Sequence, residues 1–140
     1  MDCKIVPMSH SDFDKLAIPI LGIMARKVEQ AYFSLGSVAY CMLVDGEPVL
    51  AGGIVNMDWG RGEAWMIPTK FFHSHVRTCY RYIREVLVQA ACDGKFRRVQ
   101  TTCPVMVSTV LFKHLGFSYE GTLAHFGPNG EDCHLYARLF

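Results

Sequence analysis

The stretch Leu111-Phe112-Lys113-His114-Leu115-Gly116-Phe117-Ser118-Tyr119-Glu120-Gly121 decides the fold of this chain. It predicts a short helix over Met106–Leu115, which the glycine of Leu-Gly-Phe closes. A strand is predicted over Phe117–Phe126. The turn sequence Gly127-Pro128-Asn129-Gly130 separates it from a last strand, Cys133–Phe140. The chain therefore ends in a helix followed by two strands joined by a turn.

Upstream of this stretch lies the clearest helix of the sequence, and Gly94 ends it. Its charged residues Arg77, Arg81, Arg84 and Glu85 lie off an apolar stripe whose members recur at three and four residues. A strand over Arg98–Cys103 follows this helix. The stripe consists of Val76, Cys79, Tyr80, Ile83, Val86, Leu87, Ala90 and Ala91.

The first half of the chain begins with a strand over Cys3–Met8. A helix follows, for which Ser9 or Ser11 is the predicted cap, and Pro19 is expected to kink or split it. Its apolar residues again recur at helical spacing. They are Phe13, Leu16, Ile20, Ile23 and Met24.

Three strands are predicted between the two long helices. Ser37–Val44 and Val49–Met57 form a hairpin around the turn Asp45-Gly46-Glu47-Pro48, with a bulge expected at Gly52-Gly53. After a second turn at Asp58–Gly62, a short strand covers Glu63–Ile67 and stops at Pro68.

The resulting order is β-α-β-β-β-α-β-α-β-β. Hairpins give antiparallel pairs, whereas each strand–helix–strand unit favours a parallel pair. The predicted fold class is therefore α/β (α+β), a mixed, mostly antiparallel sheet of six to seven strands with helices on both faces. We expect a break in the sheet where the parallel pair diverges. A length of 140 residues predicts one domain over residues 1–140.

Net charge, apolar runs and the placement of cysteine and histidine limit the kinds of binding partner that the sequence predicts. A formal net charge of +1 indicates neither nucleic acid nor an anionic membrane as a partner. Apolar runs such as Val49–Val55 are far shorter than the about 20 residues of a membrane span, and the residues after Met1 do not resemble a signal peptide. We therefore expect a cytoplasmic protein. The six cysteines form no C-x-x-C pair, and the six histidines are dispersed, which predicts reduced thiols and no metal site.

The sequence resembles the GCN5-related N-acetyltransferases, the GNAT family. Leu111–Gly121 is similar to the family's aromatic-x-x-Leu-Gly-Phe-x-x-Glu-Gly junction, and Val44–Gly53 is similar to the hairpin that precedes its cofactor strand. The element order matches over nearly the whole chain. The short length and a glycine-free start of the long helix also resemble the acetyltransferase-like proteins of short-tailed bacteriophages.

This resemblance implies acetyl-coenzyme A as co-substrate. The pantetheine arm would pair with the backbone of the strand before the long helix, at Met66 and Ile67. The pyrophosphate would rest on amides at the start of that helix, where free N–H groups and the helix dipole favour anions.

The chain departs from the family in the phosphate loop, which normally reads Arg/Gln-x-x-Gly-x-Gly/Ala. Here Ser74 and Val76 stand at the two glycine positions, where glycine permits a close backbone approach. His73, His75 and Arg77 are the candidates to supply charge or hydrogen bonds to phosphate instead. In the alternative interpretation, both histidines are solvated and the neighbouring Phe71 and Phe72 belong to the core.

The resemblance also implies a general base and an acid. Glu63 is the only carboxylate on the cofactor strand, and burial there would raise its pKa toward that task; the alternative is a glutamate in solvent. Phe112 occupies the position of the family's acidic tyrosine, and Val105 that of a common asparagine. Four other residues remain open as donors: Cys103, Ser108, Thr109 and Tyr119.

Two functions compete on this basis. The first is a weak or degenerate N-acetyltransferase that moves an acetyl group from acetyl-coenzyme A to a small-molecule or protein amine. The second is a catalytically degenerate phage or prophage protein that serves as a binding or virion-assembly module in the host cytoplasm or the virion. A homodimer is compatible with both, and a thiol-based redox role is a third, weaker hypothesis.

Overall fold

Seven strands form the framework in the computed structural model, which describes residues 2–8, 37–105 and 109–140. The helices are α1 (Val76–Asp93), which follows a 3-10 turn at Phe72–His75, and α2 (Val110–His114). The strands are β1 (Cys3–Pro7), β2 (Val38–Val44), β3 (Glu47–Asn56), β4 (Arg61–Pro68), β5 (Arg98–Pro104), β6 (Ser118–Leu123) and β7 (Cys133–Leu139).

All seven strands lie in one sheet, in the order β1-β2-β3-β4-β5-β7-β6. Only the central pair, β4 with β5, is parallel, and every other neighbouring pair is antiparallel. The α1 crossover explains this, because a strand–helix–strand unit returns the chain in the same direction. The predicted fold class, a mixed and mostly antiparallel sheet with helices, is confirmed.

The long helix α1 covers one face of the sheet through its apolar stripe. Its second half, with Leu87, Ala90 and Ala91, packs into a cluster with Val99, Phe117 and their neighbours, and α2 packs against the same cluster. The first half of α1 covers a second cluster around Met42, Val49 and Cys79, to which Phe71 and Phe72 add their rings. The two phenylalanines are therefore core residues, as the alternative interpretation expected.

The bulge in the β2–β3 hairpin is not at Gly52-Gly53, so that prediction was wrong. Val49 is the extra residue, because Met42 pairs with Leu50 while Leu43 pairs with Pro48. Gly52 and Gly53 lie in regular register with β2 and β4. They are glycines because space is short: a Cβ on Gly53 would collide with the carbonyl oxygen of Val38 and lie 2.9 Å from the indole of Trp65.

Several predicted boundaries also move. The strand predicted as short over Glu63–Ile67 has eight residues, Arg61–Pro68, since the preceding turn is tighter than expected. The helix near the carboxyl end covers Val110–His114, and β6 stops at Leu123. The predicted helix after β1, with Ser9, Ser11 and Pro19, lies outside the described residues, as do residues 106–108.

Candidate active site between the diverging strands

The central parallel pair opens into a gap. Strands β4 and β5 are in register only over Arg61–Glu63 and Arg98–Gln100. Just beyond, the hydroxyl of Thr101 donates a hydrogen bond to the carbonyl oxygen of Ala64 at 3.1 Å. A side chain thus replaces the backbone donor that the departing strand can no longer supply. The predicted break in the sheet lies at this vertex.

The edge of β4 that faces the gap can be assigned from its hydrogen bonds. Met57 donates to the carbonyl of Arg61, and Thr69 donates to that of Val49, each at 2.9 Å. Because peptide groups alternate in direction along a strand, the peptide groups of Arg61, Glu63, Trp65 and Ile67 point toward β3. The peptide of Met66 points into the gap. Of the two residues expected to pair with the pantetheine arm, only Met66 therefore presents its peptide group to the gap, whereas Ile67 uses its peptide group in the ladder with β3.

A cavity of about 440 Å³ occupies the gap and continues beneath α1. Glu63 is the only charged side chain among the described residues that line it. Trp65, Met66 and Ile67 line it as well, so the side chain of Ile67 takes part although its peptide does not. The rest of the lining is Ile5, Tyr40, Met42, Leu50, Gly52, Gly53, Ile54, Ala64, Ile83, Val86, Leu87, Ala90, Thr101, Thr102, Leu111, Phe112, Leu115 and Phe117.

Glu63 lies at the closed end of the gap, opposite Gln100 in the last parallel pair. Its side chain is half-buried, and burial raises the pKa of this carboxyl above its usual range. The cause of this rise in pKa is desolvation rather than a neighbouring charge. A carboxyl in this state holds a proton more firmly than an exposed glutamate would.

Phe112 forms part of the cavity wall and is held there by two rings. It stacks on Tyr136 with 5.2 Å between ring centroids, and its edge meets Phe117 at 6.3 Å. Tyr136 and Phe117 are both buried. The sequence resemblance identified the position of Phe112 but not its partners, because Phe117 precedes β6 and Tyr136 lies in β7. Phe112 offers an apolar surface and no proton.

Three of the four alternative donors do not line the cavity. Tyr119 is 55% exposed and bonds the hydroxyl of Thr122 at 2.8 Å, behind the Phe112–Tyr136 stack. Cys103 is buried, which raises the pKa of its thiol, and Thr109 immediately precedes α2. None of these three lines the cavity, and Ser108 lies outside the described residues. The hydroxyl-bearing residues that do line it are Tyr40, Thr101 and Thr102, and they were missed because nothing in their spacing distinguishes them.

The loop before α1 is anchored by Thr69, which sequence reasoning also missed. Its hydroxyl donates to the carbonyl of Pro48 at 2.7 Å and accepts from the amide of Phe71 at 3.2 Å. Beyond it, His73 and Ser74 are exposed within the 3-10 turn, whereas His75 and Val76 are half-buried. His75 precedes the first residue of α1, and no side chain caps that first turn.

A basic groove lies beside this loop, along the outer face of α1. Arg77, Arg81 and Arg84 line it together with Tyr80 and His114, whose rings lie 6.0 Å apart. The three arginines are exposed and recur at four and three residues, so they share one helix face. Sequence analysis placed them off the apolar stripe but could not bring His114 of α2 beside them.

No group of three His, Cys, Asp or Glu residues within residues 2–8, 37–105 and 109–140 could hold a metal ion. Among the same residues, no helix is both long and apolar enough to cross a membrane.

No protein-family model matches the sequence, and no curated protein matches it significantly. Solved structures of acetyltransferases do match its fold. A GNAT-family acetyltransferase from Streptococcus pneumoniae aligns at 14% identity and a TM-score of 0.73, over 99% of this chain and 100% of the other.

Two further structures extend the likeness. A chimera of the spermidine N-acetyltransferase SpeG from Vibrio cholerae and hSSAT gives 14% identity and a TM-score of 0.77, over 99% of this chain and 96% of that one. RimL, a ribosomal L7/L12 alpha-N-protein acetyltransferase in complex with coenzyme A, gives 14% identity and 0.76, over 99% and 94%. The sheet order, the gap between β4 and β5 and these similarities together establish that the chain has the fold of the GNAT acetyltransferases.

Proposed function

We propose that this protein is an N-acetyltransferase that moves an acetyl group from acetyl-coenzyme A to a primary amine. The observation that carries the proposal is the position of Glu63. Its carboxyl has a raised pKa and lies at the closed end of the gap where β4 and β5 part. A base with a pKa nearer to neutral is the requirement for taking a proton from an attacking amine.

The proposed reaction assigns Glu63 one task. The amine nitrogen forms a bond to the thioester carbonyl carbon, the bond from that carbon to sulfur breaks, and Glu63 accepts the proton that the nitrogen loses. The sulfur leaves as a thiolate, which water protonates, because Phe112 offers no hydroxyl. General acid assistance contributes about 10²- to 10⁴-fold in rate, so we expect a slow enzyme that relies mainly on positioning.

The co-substrate would be held by the remaining predicted residues. The peptide of Met66 faces the gap and can pair with an extended amide chain, while Ile67 and Phe112 give apolar walls. Phosphates would meet the uncapped start of α1 and its flanking side chains. Those side chains are His73, Ser74, His75, Val76 and Arg77.

The similar solved structures support acetyl-coenzyme A as the acetyl donor, and they do not narrow the class of amine acceptor. The similar RimL structure contains coenzyme A, SpeG is a spermidine acetyltransferase, and RimL acts on a ribosomal protein. A small-molecule or protein amine is therefore the proposed acceptor. A cytoplasmic location and a homodimer remain predictions, as does the absence of nucleic-acid and membrane partners.

Titration calorimetry with acetyl-coenzyme A tests the proposal. We expect saturable binding to the wild-type chain at up to millimolar ligand, and weaker binding after Arg77→Ala, which removes one charge at the start of α1. Lys4→Ala, which removes an exposed charge from the edge strand β1, serves as the matched control. No heat of binding at millimolar ligand would exclude the proposed function.

One observation favours a second candidate, a GNAT-fold binding or assembly module without catalysis. The tyrosine position is filled by Phe112, whose ring is fully engaged by Tyr136 and Phe117. In that case Glu63→Gln would change neither the partner bound nor the assembly formed. The resemblance to short-tailed phage proteins belongs to this candidate and stays a prediction. Acetyl transfer that depends on Glu63 would decide against it.

A further inference from the structure

The cavity extends well past the reacting position, into the core. Beyond Glu63 it is lined by Ile54, Leu87, Ala90 and Leu115, all of which belong to the buried cluster beneath α1 and α2. These residues are at most 8% exposed. The gap between β4 and β5 therefore leads into an apolar chamber that neither the amine nor the pantetheine arm needs.

Small residues and fixed rings create this chamber. Gly52, Ala64 and Ala90 contribute almost no side-chain volume to its lining, and Gly52 has no room for a larger side chain toward β4, because its Cβ would lie 3.1 Å from the carbonyl oxygen of Trp65. Phe112 forms a wall whose ring is held in place by Tyr136. The space is therefore part of the folded framework and does not depend on a side chain moving aside.

Volume and polarity indicate what the chamber can hold. A cavity of about 150 Å³ lined by Leu, Ile and Phe stays dry and accepts a benzene-sized group. The cavity here is about 440 Å³, which accommodates the inner end of an extended amide chain and an apolar group of about six carbons. An acetyl group has two carbons and would leave most of the inner part unfilled.

We propose that the donor site accepts acyl groups longer than acetyl, unbranched chains of about four to six carbons, with the chain in the chamber between Ala64 and Ala90. The inference rests on the proposed function, since it concerns the same donor site. Its basis is the apolar lining beyond Glu63, which gives a methylene chain contacts and gives water few polar partners.

The preference for longer acyl groups can be tested by binding alone, with thioethers of coenzyme A that cannot be hydrolysed. Calorimetry would compare coenzyme A with its S-ethyl, S-butyl and S-hexyl derivatives on the wild-type chain. Burial of one methylene group strengthens binding by about fourfold, so we expect the S-hexyl derivative to bind on the order of a hundredfold more tightly than the S-ethyl derivative. Equal or weaker binding of the longer chains would overturn the inference and leave the proposed function standing. Failure of all four ligands to bind would overturn both.

A substitution in the chamber tests whether the acyl chain binds there. Ala90→Leu adds volume at its inner end and should remove most of the gain in affinity from the S-ethyl to the S-hexyl derivative. Val88→Leu, on the exposed face of the same helix, is the control and should keep the full gain. Unchanged preference for S-hexyl in folded Ala90→Leu would contradict the placement. If that variant does not fold, Leu87→Phe makes the same test, and the wild-type series decides the preference by itself.

Discussion

The hydroxyl of Thr101 donates a hydrogen bond to the carbonyl oxygen of Ala64, 3.1 Å away, where β4 and β5 stop pairing. Thr101 is 8% exposed, so this bond is shielded from water. It ends the parallel ladder with a side chain and fixes the width of the gap at its closed end. Glu63, one residue before Ala64, takes its position from the same vertex.

Replacement of Thr101 by valine should weaken the fold and the site together. Valine has nearly the same shape but cannot donate, and a buried carbonyl without a donor costs about 1–3 kcal/mol. We expect the free energy of unfolding, measured with urea, to fall by that amount. Thr102→Val is the control, since the side chain of Thr102 points to the opposite face of the sheet and cannot reach Ala64. Equal losses in the two variants would contradict the assigned role.

Glu63→Gln should make the protein more stable at neutral pH. Burial raises the pKa of Glu63 in the folded state, so the folded state binds its proton more strongly than the unfolded state does. The stability from this group is present in full below the unfolded pKa and is lost as pH rises through the raised folded value. When thermal unfolding is followed from pH 4 to 8, the melting temperature of the wild-type chain should fall as the pH rises. That of Glu63→Gln should not show this fall. Parallel curves for the two proteins would refute this account.

Phe112→Tyr should raise the rate of acetyl transfer and lower the stability of the fold. A hydroxyl at the cavity wall can protonate the leaving thiolate, and such general acid catalysis raises the rate by about 10²-fold or more. The same hydroxyl, placed among apolar residues, costs about 1–3 kcal/mol if it finds no partner. We expect faster acetyl transfer and a lower melting temperature. Phe72 packs against the second core cluster and does not itself line the cavity. Phe72→Tyr should therefore give no gain in rate, and a gain in that control would contradict the explanation.

In the native protein, one cysteine thiol should react much faster than the others. Cys92 is exposed and Cys3 is half-buried, while Cys41, Cys79, Cys103 and Cys133 are buried. Burial raises the pKa of Cys3, and it raises that of Cys79 to about 11. A thiolate-selective reagent should therefore titrate one fast group, which Cys92→Ser removes. Two or more fast groups that survive this substitution would revive the redox hypothesis.

The order of elements could be predicted because local signals determine it. Gly94 and the glycine of Leu115-Gly116-Phe117 do stop their helices, and the apolar stripe of α1 does face the sheet. Strand ends were less accurate, because pairing with a neighbour extends β4 past what its own residues indicate. The bulge was misplaced for a similar reason: Gly53 reflects crowding by Trp65 from the next strand, which its own segment does not reveal.

The candidate site was predictable only where a position in a motif was enough. Glu63 and Phe112 were found in this way, and both line the cavity. The direction of the Ile67 peptide depends on strand register, and the bond from Thr101 joins it to Ala64 on another strand, 37 positions earlier in the sequence. Such relations arise between elements and have no periodic trace in the sequence.

Acetyl transfer followed across pH, in the wild-type chain and in Glu63→Gln, tests the central claim most directly. With acetyl-coenzyme A and a panel of primary amines that includes spermidine and a peptide with a free amino terminus, we expect the rate to rise with pH through a pKa above the usual range of a glutamate. Glu63→Gln should lose about 10²- to 10⁴-fold in rate and lose that limb of the profile, while it still binds acetyl-coenzyme A. Transfer at the wild-type rate by Glu63→Gln, with an unchanged pH profile, would contradict the account.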